Sequence, residues 1–299
     1  MEMKPLVSLC VFTYNQEKFV LDALQGAISQ TYDNLEIIVS DDCSKDKTFE
    51  IIENFAKEYK GSHKLKINRN EKNLGIRGHF NYVLKELMKG EIFVGNAGDD
   101  KSEPDRVEKC VSIFQKHPEV TSVFCDSLQT DVNLTPLEEY HSMCSGQTTI
   151  ITLDDYVNNF GKNFWLYSGD SRVMKKEVFE KFPPMTVCNN EDIPTFVRSI
   201  ILGPVAFIRE PLVLRRIHEN NESKKIRIKQ EGINLFKQLN MDVEYAREKG
   251  YIDEHSFGRL KMKFSSIKRQ MLRTDMVILY SWLRPVYAPL KRAIAKVRY

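Results

Sequence analysis

Several signatures of common nucleotide-binding enzymes are missing from this sequence. It has no G-x-x-x-x-G-K-[ST] segment, and no G-x-G-x-x-G segment follows the first predicted strand. Both glycine-rich loops surround phosphate groups with backbone N–H donors. Their absence argues against a P-loop nucleoside triphosphatase and against a dinucleotide-binding (Rossmann) dehydrogenase.

Paired cysteines and long apolar runs are also missing. The six cysteines form no C-x-x-C pair and no zinc-ligand spacing, which favours a reduced, cytoplasmic chain over a disulfide framework or a zinc site. The longest apolar candidate, residues 276–283, is far shorter than the ~18 residues of a membrane span. The N-terminus has no basic region followed by an apolar core and a cleavage site, so we expect no secretion signal.

Charge is unevenly distributed along the 299 residues. The whole chain has a formal net charge of +3, but residues 221–299 hold 18 Lys or Arg against 8 Asp or Glu, a net charge of +10. Residues 1–220 therefore carry a net charge of −7. This difference indicates that the two parts meet different partners.

The first half of the chain alternates between two hydrophobic periods. Short apolar runs, typical of buried strands, are followed by segments whose apolar residues recur every three or four positions, as in helices. Strands are predicted at residues 6–12, 35–40, 65–68, 92–94 and 120–125. The alternation predicts an α/β fold with a mostly parallel sheet, flanking helices and right-handed crossovers.

The regular alternation ends after residue 126. Residues 130–146 are polar and irregular, which predicts a long loop or a small insertion. Beyond them, the pattern predicts helices at 154–160 and 192–202, a strand at 171–175, two short strands at 204–208 and 212–217, and helix from about residue 227 onward. We therefore predict an α/β domain over residues 1–217 and a helical, basic C-terminal region over residues 218–299.

Polar and acidic side chains follow three of the predicted strands. They are Thr13, Tyr14 and Glu17 after the first, Asp41 and Asp42 after the second, and Asp99 and Asp100 after the strand that begins at residue 92. Parallel strands bring their carboxyl ends to one edge of the sheet, where ligands bind in open α/β folds. Each cluster alone is also typical of a capped turn. Together, the carboxylates would repel one another without a cation, and their oxygens suit Mg²⁺ or Mn²⁺ bound with a nucleotide diphosphate.

The motifs at these strand ends resemble those of the family 2 glycosyltransferases, which have the GT-A fold. V-S-L-C-V-F-T-Y-N is similar to the opening strand of that family, I-I-V-S-D-D-C-S-K-D-K-T to its second-strand turn, N-L-G to a following loop and G-D-D to its metal-binding D-x-D variant. The resemblance covers residues 5–218. It implies transfer of a sugar from a nucleotide-diphosphate donor to a saccharide or lipid-linked saccharide acceptor. Members of the family commonly use UDP-sugars, so a UDP-sugar is the expected donor. The resemblance also implies inversion of the configuration at the anomeric carbon.

The resemblance also implies roles for individual residues. Tyr14 and Asp42 are expected at the nucleotide base and Asp99 near the ribose, while Asp100 is expected on a Mn²⁺ or Mg²⁺ ion. The full set of expected donor-binding residues is Thr13, Tyr14, Glu17, Asp42 and Asp99.

Two further site residues come from the second half of the chain. Asn190-Glu191-Asp192 resembles the acidic E-D motif that holds the family's general base. A base is needed because the acceptor hydroxyl loses its proton as it attacks the anomeric carbon. We expect Asp192 to be this catalytic base, and the alternative is that it caps a helix. His218 matches a position where related sequences often carry His near the diphosphate. We expect its neutral imidazole to contact the metal or a phosphate, and the alternative is a structural His.

Some features depart from the family pattern. Phe12 stands where the family often has Pro, and Cys43 and Lys47 stand where Gly is common. These changes lie beside the residues expected at the nucleotide base and remove no carboxylate. No Q-x-x-R-W segment is present, which favours addition of one sugar at a time over processive polymerisation.

Other functions remain open from the sequence. A nucleotidyltransferase would also need an acidic metal site, but residues 13–18 lack the Gly-rich, Lys- or Arg-bearing loop that such enzymes usually carry. A non-catalytic binding or scaffold protein could retain the fold, although the full acidic set argues against it. A nucleic-acid binder could use the basic C-terminal region, but we see no recognition module and expect no nucleic-acid partner.

The chain ends in a segment with the pattern of a basic amphipathic helix. Residues 255–299 hold 11 Lys or Arg and a single acid, Asp275. Pro285 and Pro289 predict a break between two short helices. The helices could lie on an anionic membrane surface, at the inner face of the membrane, and this would suit a lipid-linked acceptor. Alternatively, the apolar stripe packs on the α/β domain. The stripe consists of Leu272, Met276, Leu279, Leu283, Tyr287, Leu290, Ile294 and Val297.

Overall fold

We analysed a computed structural model of the chain. The structure describes residues 4–137, 148–158, 171–219, 221 and 229–273. Nine strands within these residues form one sheet, and helices cover both of its faces. This confirms the α/β fold that the alternation of hydrophobic periods predicts.

The first four strands form a parallel half-sheet. They are β1 (Val7–Thr13), β2 (Leu35–Asp41), β3 (Lys64–Arg69) and β4 (Ile92–Ala97). Their order is β3-β2-β1-β4, and each neighbouring pair is parallel. The segments that follow β1, β2 and β4 therefore leave the sheet at the same edge.

The other five strands run in both directions. They are β5 (Lys101–Ser102), β6 (Ser122–Thr130), β7 (Thr149–Ile151), β8 (Val173–Lys175) and β9 (Val205–Arg216). β8 is antiparallel to β4 and to β6, and β9 is parallel to β6. Because the direction reverses twice between β4 and β6, β9 is parallel to β4. The C-terminal end of β9 therefore reaches the same edge as the end of β4.

The two short strands predicted at 204–208 and 212–217 are one continuous strand, β9, so this prediction is wrong. The predicted break falls at Glu210 and Pro211, where the apolar pattern is interrupted and Pro lacks the N–H of a ladder bond. The pairing of β9 with β6 shifts register at this point. Cys125 of β6 pairs with Ile208, but Asp126, the next residue of β6, pairs with Pro211, so Arg209 and Glu210 have no partner in the register with β6. Such a bulge bends a strand without ending it.

The helices lie mostly in the segments predicted to be helical. They are α1 (Val20–Ile28), α2 (Thr48–Glu58), α3 (Gly75–Tyr82), α4 (Arg106–Lys116), α5 (Leu153–Asn158), α6 (Glu177–Glu180), α7 (Asp192–Leu202), α8 (Lys229–Glu248) and α9 (Glu254–Arg273). However, α6 was not predicted, and the helical region predicted from about residue 227 onward is divided into α8 and α9. A π-helical segment, Val83–Leu87, continues α3. Pro194 lies in the first turn of α7, where its missing N–H removes no intrahelical bond.

Successive residues of the strands pack into different cores. In β1, Leu9 and Val11 belong to one core and Cys10 to the other, which reflects the two-residue period of a strand. Helices α1, α2 and α4 cover the first core. Helices α3, α7, α8 and α9 cover the second, which contains Phe80, Phe196, Leu235, Phe236, Leu239, Leu260 and Phe264.

Helix α8 is also tied to the α/β domain by a buried ion pair. Arg198 of α7 donates from Nε to Asp242 Oδ2 at 2.9 Å and from Nη2 to Oδ1 at 2.7 Å. Gln238 of α8 accepts hydrogen bonds from the backbone N–H groups of Thr186 and Val187, in the loop before α7. Helices α8 and α9 therefore pack into the same body as the sheet, and the domain boundary at residue 217 stays a prediction.

Most of the predicted amphipathic tail lies outside the described residues. Helix α9 ends at Arg273, and the apolar stripe continues from Met276 to Val297. The predicted loop at 130–146 is described only up to residue 137 and again from residue 148. Among the helices that the structure describes, none is long and apolar enough to cross a membrane.

Candidate active site

Four strand ends meet at one edge of the sheet. β1 ends at Thr13, β2 at Asp41, β4 at Ala97 and β9 at Arg216. The backbone N–H of Asp42 donates to the Thr13 carbonyl oxygen at 2.9 Å, which joins the turn after β2 to the end of β1. The polar clusters that the sequence places after separate strands are therefore neighbours in the fold.

The Asp99 carboxylate is bonded to the segment that follows β9. His218 Nε2 lies 2.9 Å from Asp99 Oδ2, and Asn221 Nδ2 donates to the same oxygen at 3.2 Å. The His218 ring packs against Phe19, just before α1, with 4.6 Å between ring centres. Two predicted site residues that are 119 positions apart in sequence are thus in direct contact.

Arg216 connects the G-D-D segment to α1. Its backbone N–H donates to Asp100 Oδ1 at 2.9 Å, and its Nη1 donates to the Asp99 carbonyl oxygen at 3.0 Å. Its Nη2 donates to Asp22 Oδ2 at 2.6 Å, and the buried guanidinium lies 4.6 Å from the centre of the Phe19 ring. This cation offsets part of the repulsion among the carboxylates at the strand ends.

A close approach of β1 requires the glycine of G-D-D. The Gly98 N–H donates to the Phe12 carbonyl oxygen at 2.8 Å. A Cβ atom at residue 98 would lie 2.2 Å from Gln16 Oε1, 2.7 Å from Thr13 Cγ2 and 3.0 Å from the Phe12 oxygen. We expect Gly98→Ala to lower the free energy of unfolding by about 1–3 kcal/mol, because the methyl group forces β1 and the G-D-D segment apart. Chemical denaturation measures the difference.

Gly258→Ala is the matched control for Gly98→Ala. Gly258 lies inside α9, and a Cβ atom there would meet no neighbouring atom within 4 Å. Alanine should therefore stabilise this helix by up to about 1 kcal/mol. Equal effects of the two substitutions would show that the close approach is not the reason for glycine at residue 98.

The carboxylate at the end of β2, Asp41, is structural. It is fully buried and accepts hydrogen bonds from the Ser44 N–H at 2.8 Å and from the Ser44 hydroxyl. The Thr13 hydroxyl also donates to it at 3.2 Å. Thr13, a predicted donor-binding residue, is itself buried and fastens β1 to β2. Its buried side chain therefore holds the ends of β1 and β2 together.

The next carboxylate, Asp42, follows β2 and holds the N-L-G loop. Its Oδ1 accepts from Asn70 Nδ2 and from the Leu74 N–H, both at 2.8 Å, and its Oδ2 accepts from the Gly75 N–H at 2.9 Å. Gly75 has φ +69°, a left-handed conformation that favours glycine. These bonds fix the carboxylate in one orientation at the edge of the sheet.

The remaining predicted residues after β1 lie on a tight turn. Tyr14 is 38% exposed, and Asn15 has φ +53°. Glu17 Oε2 accepts from the Lys47 N–H at 2.9 Å, which joins this turn to the start of α2. Tyr14 is therefore the predicted residue of this turn whose ring is accessible to a ligand, while Glu17 braces the turn.

Glu191 and Asp192 share one partner, Arg172. Arg172 Nη1 donates to Asp192 Oδ1 at 2.7 Å, and its Nη2 donates to Glu191 Oε1 at 2.9 Å. Asp192 is the first residue of α7, and no side-chain bond of Glu191 caps the helix. The Arg172 carbonyl oxygen accepts from the Gly95 N–H of β4 at 3.2 Å, which places this group beside the strand that ends at G-D-D.

Three residues that contact the predicted site were missed by sequence reasoning. Arg216 and Asn221 flank His218 in the R-R-I-H-E-N-N segment. Their position beside a predicted metal ligand could have indicated that they belong to the site. Arg172 carries no comparable signal, because it lies 20 positions before Asp192 in an ordinary strand pattern.

The donor atoms at the end of β4 fit a divalent cation bound together with phosphates. Asp99 and Asp100 supply carboxylate oxygens, and His218 supplies an imidazole nitrogen, which suit Mn²⁺. Within the described part of the chain, no three His, Cys, Asp or Glu side chains converge on one metal position. Such convergence is not required, since Mg²⁺ sites commonly use one or two carboxylates plus substrate phosphates.

Sequence comparisons identify the family. The profile described as Glycosyl transferase family 2 matches residues 8–182, more than half of the chain. An uncharacterized glycosyltransferase of Haemophilus influenzae is 37% identical over 123 residues, which are 41% of this chain and 37% of that protein. The matched part spans 37% of the length of this relative, 41% of the length of EpsE of Bacillus subtilis and a smaller share of other curated relatives.

Two solved structures share the fold. TarS of S. aureus (residues 1–349), in complex with UDP-GlcNAc, has a TM-score of 0.66 at 17% identity, covering 87% of this chain and 71% of TarS. The mannosyltransferase PcManGT of Pyrobaculum calidifontis, in complex with GDP-Man and Mn²⁺, has a TM-score of 0.60 at 17% identity, covering 100% of this chain and 82% of PcManGT. These likenesses confirm the predicted GT-A fold. Because the family profile also spans most of the sheet, the chain belongs to glycosyltransferase family 2.

Proposed function

We propose that this glycosyltransferase moves one sugar from a nucleotide-diphosphate donor, a UDP-sugar by family habit, to a saccharide or lipid-linked saccharide. The contact between Asp99 and His218 carries the proposal, because it joins the residues expected at the ribose and at the diphosphate. Structural neighbours support a nucleotide-sugar donor, since TarS was solved with UDP-GlcNAc and PcManGT with GDP-Man.

In this proposal the donor lies across the ends of β1, β2 and β4. Tyr14 and Asp42 hold the nucleotide base, and Asp99 lies near the ribose. A carboxylate has about four lone-pair positions, so Asp42 can accept a further hydrogen bond beside the three it receives from the loop after β3. Thr13 and Glu17 support the donor indirectly, by fixing the turn that carries Tyr14.

Asp100 and His218 are proposed to hold Mn²⁺ or Mg²⁺. When bound, the cation neutralises the charge that develops on the leaving diphosphate. PcManGT, which has the same fold, was solved with Mn²⁺. In this chain, Arg216 orients Asp100 through its backbone N–H, and Asp99 orients the His218 ring. Both side chains are thus positioned before any ligand arrives.

Asp192 is proposed to be the general base. Its carboxylate accepts the proton of the acceptor hydroxyl as that oxygen attacks the anomeric carbon. Attack on the side opposite the leaving diphosphate inverts the configuration at that carbon. The bond from Arg172 keeps the Asp192 side chain beside β4, next to the end of the strand that leads to Asp99 and Asp100.

We also infer a cytoplasmic enzyme that acts close to the inner face of a membrane. The support is the excess of Lys and Arg in residues 255–299 and their spacing around an apolar stripe. A lipid-linked acceptor would be presented at that surface. Helix α8 and helix α9, which contains the first stripe residue Leu272, pack on the catalytic domain and would hold the tail near it.

Calorimetric titration with UDP-, GDP- and dTDP-sugars, each in Mn²⁺ and in EDTA, tests the donor site. We expect at least one nucleotide sugar to bind, with affinity at least about tenfold higher in Mn²⁺, because a cation held by Asp100 and His218 would add positive charge where the diphosphate binds. Slow release of the nucleotide without acceptor should accompany binding. Equal affinity in Mn²⁺ and EDTA would contradict the metal site. Salt-sensitive RNA or DNA binding, with no nucleotide sugar bound, would favour a nucleic-acid binder.

A further inference from the structure

We propose that Arg172 is a positioning residue that holds Glu191 and Asp192 together as one proton-accepting unit. This inference rests on the proposed role of Asp192. The Arg172 guanidinium donates to Asp192 Oδ1 at 2.7 Å and to Glu191 Oε1 at 2.9 Å. One cation therefore bridges two carboxylates that are adjacent in sequence. Its planar fork presents both donors in a fixed geometry, which a Lys ammonium cannot do.

The position of Arg172 is set by groups outside the acidic pair. Its carbonyl oxygen accepts from the Gly95 N–H, so its backbone is paired with β4. Its guanidinium carbon lies 4.8 Å from the centre of the Phe80 ring and 5.9 Å from that of Phe93. The side chain is only 6% exposed. Aromatic faces and backbone pairing hold the cation, and the carboxylates take their orientation from it.

The charges in this cluster favour joint titration. Burial raises the pKa of Glu191 to about 7, repulsion from Asp192 adds to the rise, and the guanidinium opposes it. A further titratable group beside Glu191 is the buried Cys188 thiol, in the same loop. Glu231 of α8 accepts a hydrogen bond from Asn189, two residues before Glu191. Two carboxylates coupled in this way bind a proton as a pair.

The proposed step transfers a proton to Asp192. In the transfer, the acceptor O–H bond breaks and its proton passes to Asp192. The acceptor oxygen bonds to the anomeric carbon, and the electron pair of the breaking carbon–oxygen bond leaves with the nucleotide diphosphate. Arg172 stays protonated throughout. Glu191 places a second negative charge beside the proton that Asp192 accepts, and Arg172 fixes the two carboxylates relative to each other.

The pH dependence of kcat/KM distinguishes positioning from a structural role. The measured rate is the release of nucleotide from the sugar donor, with the full chain as the enzyme. The donor is the nucleotide sugar that binds most tightly in the calorimetric titration. Since the base must be deprotonated, kcat/KM should decrease as the pH falls through the pKa of the pair. We call this part of the pH profile the acid limb. Arg172→Met removes the cation, so this acid limb should move up by about 1 pH unit and kcat should fall about 10²-fold. Glu191→Gln removes a like charge, so the limb should move down.

Two conservative variants complete the set. Arg172→Lys keeps the charge but loses the fork, so turnover should fall about tenfold while the acid limb stays near its wild-type position. This variant preserves the test if Arg172→Met does not fold. Arg198→Lys is the matched control, because Arg198 is also a buried Arg bonded to a carboxylate, Asp242. It should lower stability and leave the acid limb in place.

Carbon-13 NMR of labelled glutamate carboxyl groups gives a readout that does not depend on activity. One resonance should titrate near pH 7, be absent in Glu191→Gln and move to higher pH in Arg172→Met. Opposite shifts of the acid limb in these two variants would support the proposal. Full turnover with an unchanged acid limb in Arg172→Lys and Arg172→Met would overturn it. Full turnover in Asp192→Asn would instead refute Asp192 as the base, so the two failures are distinguishable.

Discussion

Asp192→Asn is expected to lower turnover by about 10²-fold or more while donor affinity stays nearly unchanged. The amide keeps the size of the side chain, and its oxygen can still accept the hydrogen bond from Arg172, which is 2.7 Å long in the structure. An amide cannot take up a proton at neutral pH. Steady-state kinetics and calorimetric titration of the same preparation measure the two quantities separately.

Asp253→Asn is a suitable control for Asp192→Asn, because Asp253 caps a helix. Its Oδ1 accepts from the Ser256 N–H at 2.7 Å at the start of α9, and Asn caps helices about as well as Asp. The control should change neither turnover nor stability appreciably. If Asp192→Asn behaves in the same way, Asp192 serves only the start of α7 and is not the base.

Asp100→Asn is expected to remove most of the Mn²⁺-dependent gain in donor affinity, a loss of about tenfold or more in Mn²⁺, and to leave the weaker affinity in EDTA almost unchanged. Substitution of residues that merely orient metal ligands already costs up to about 100-fold in metal affinity, and a direct ligand should cost at least as much. The Asn oxygen can still accept from the Arg216 N–H, which lies 2.9 Å from Asp100 Oδ1. The loop should therefore keep its shape.

Asp105→Asn is the charge-matched control for Asp100→Asn. Asp105 lies five residues further along the chain, is about half exposed and pairs with Lys109 at 2.6 Å. Its loss removes the same charge but no proposed ligand, so Mn²⁺-dependent donor binding should persist. Wild-type Mn²⁺ dependence in Asp100→Asn would place the cation on other groups.

Local sequence patterns were sufficient to predict most of the secondary structure. Strand ends before Asp42 and Asp99 could be predicted because an apolar run followed by acidic residues is a local pattern. The start of α7 at Asp192 could be predicted in the same way, although the family resemblance was needed to suggest a base there. The continuity of β9 could not, because a bulge depends on the partner strand, here β6.

The partners of the charged residues could not be predicted. In sequence, Arg172 and Arg216 look like any exposed Arg, but both are buried in the fold. Arg216 donates a hydrogen bond to Asp22, which is 194 positions away in sequence. Arg172 donates hydrogen bonds to Glu191 and Asp192, which are 19 and 20 positions away. Burial of an Arg is favourable only when such partners are in place, and these come from distant segments.

The sequence by itself determined which residues stand at strand ends, because hydrophobic periods are local and parallel strands share an edge. Only the tertiary structure decided their individual tasks. Asp41 and Asp42 are adjacent and chemically identical, but Asp41 turns inward to Ser44 and Thr13 while Asp42 turns to the loop that ends at Gly75. The physical reason is that a carboxylate's role follows from the donors and cations around it, and the packing of distant segments selects them.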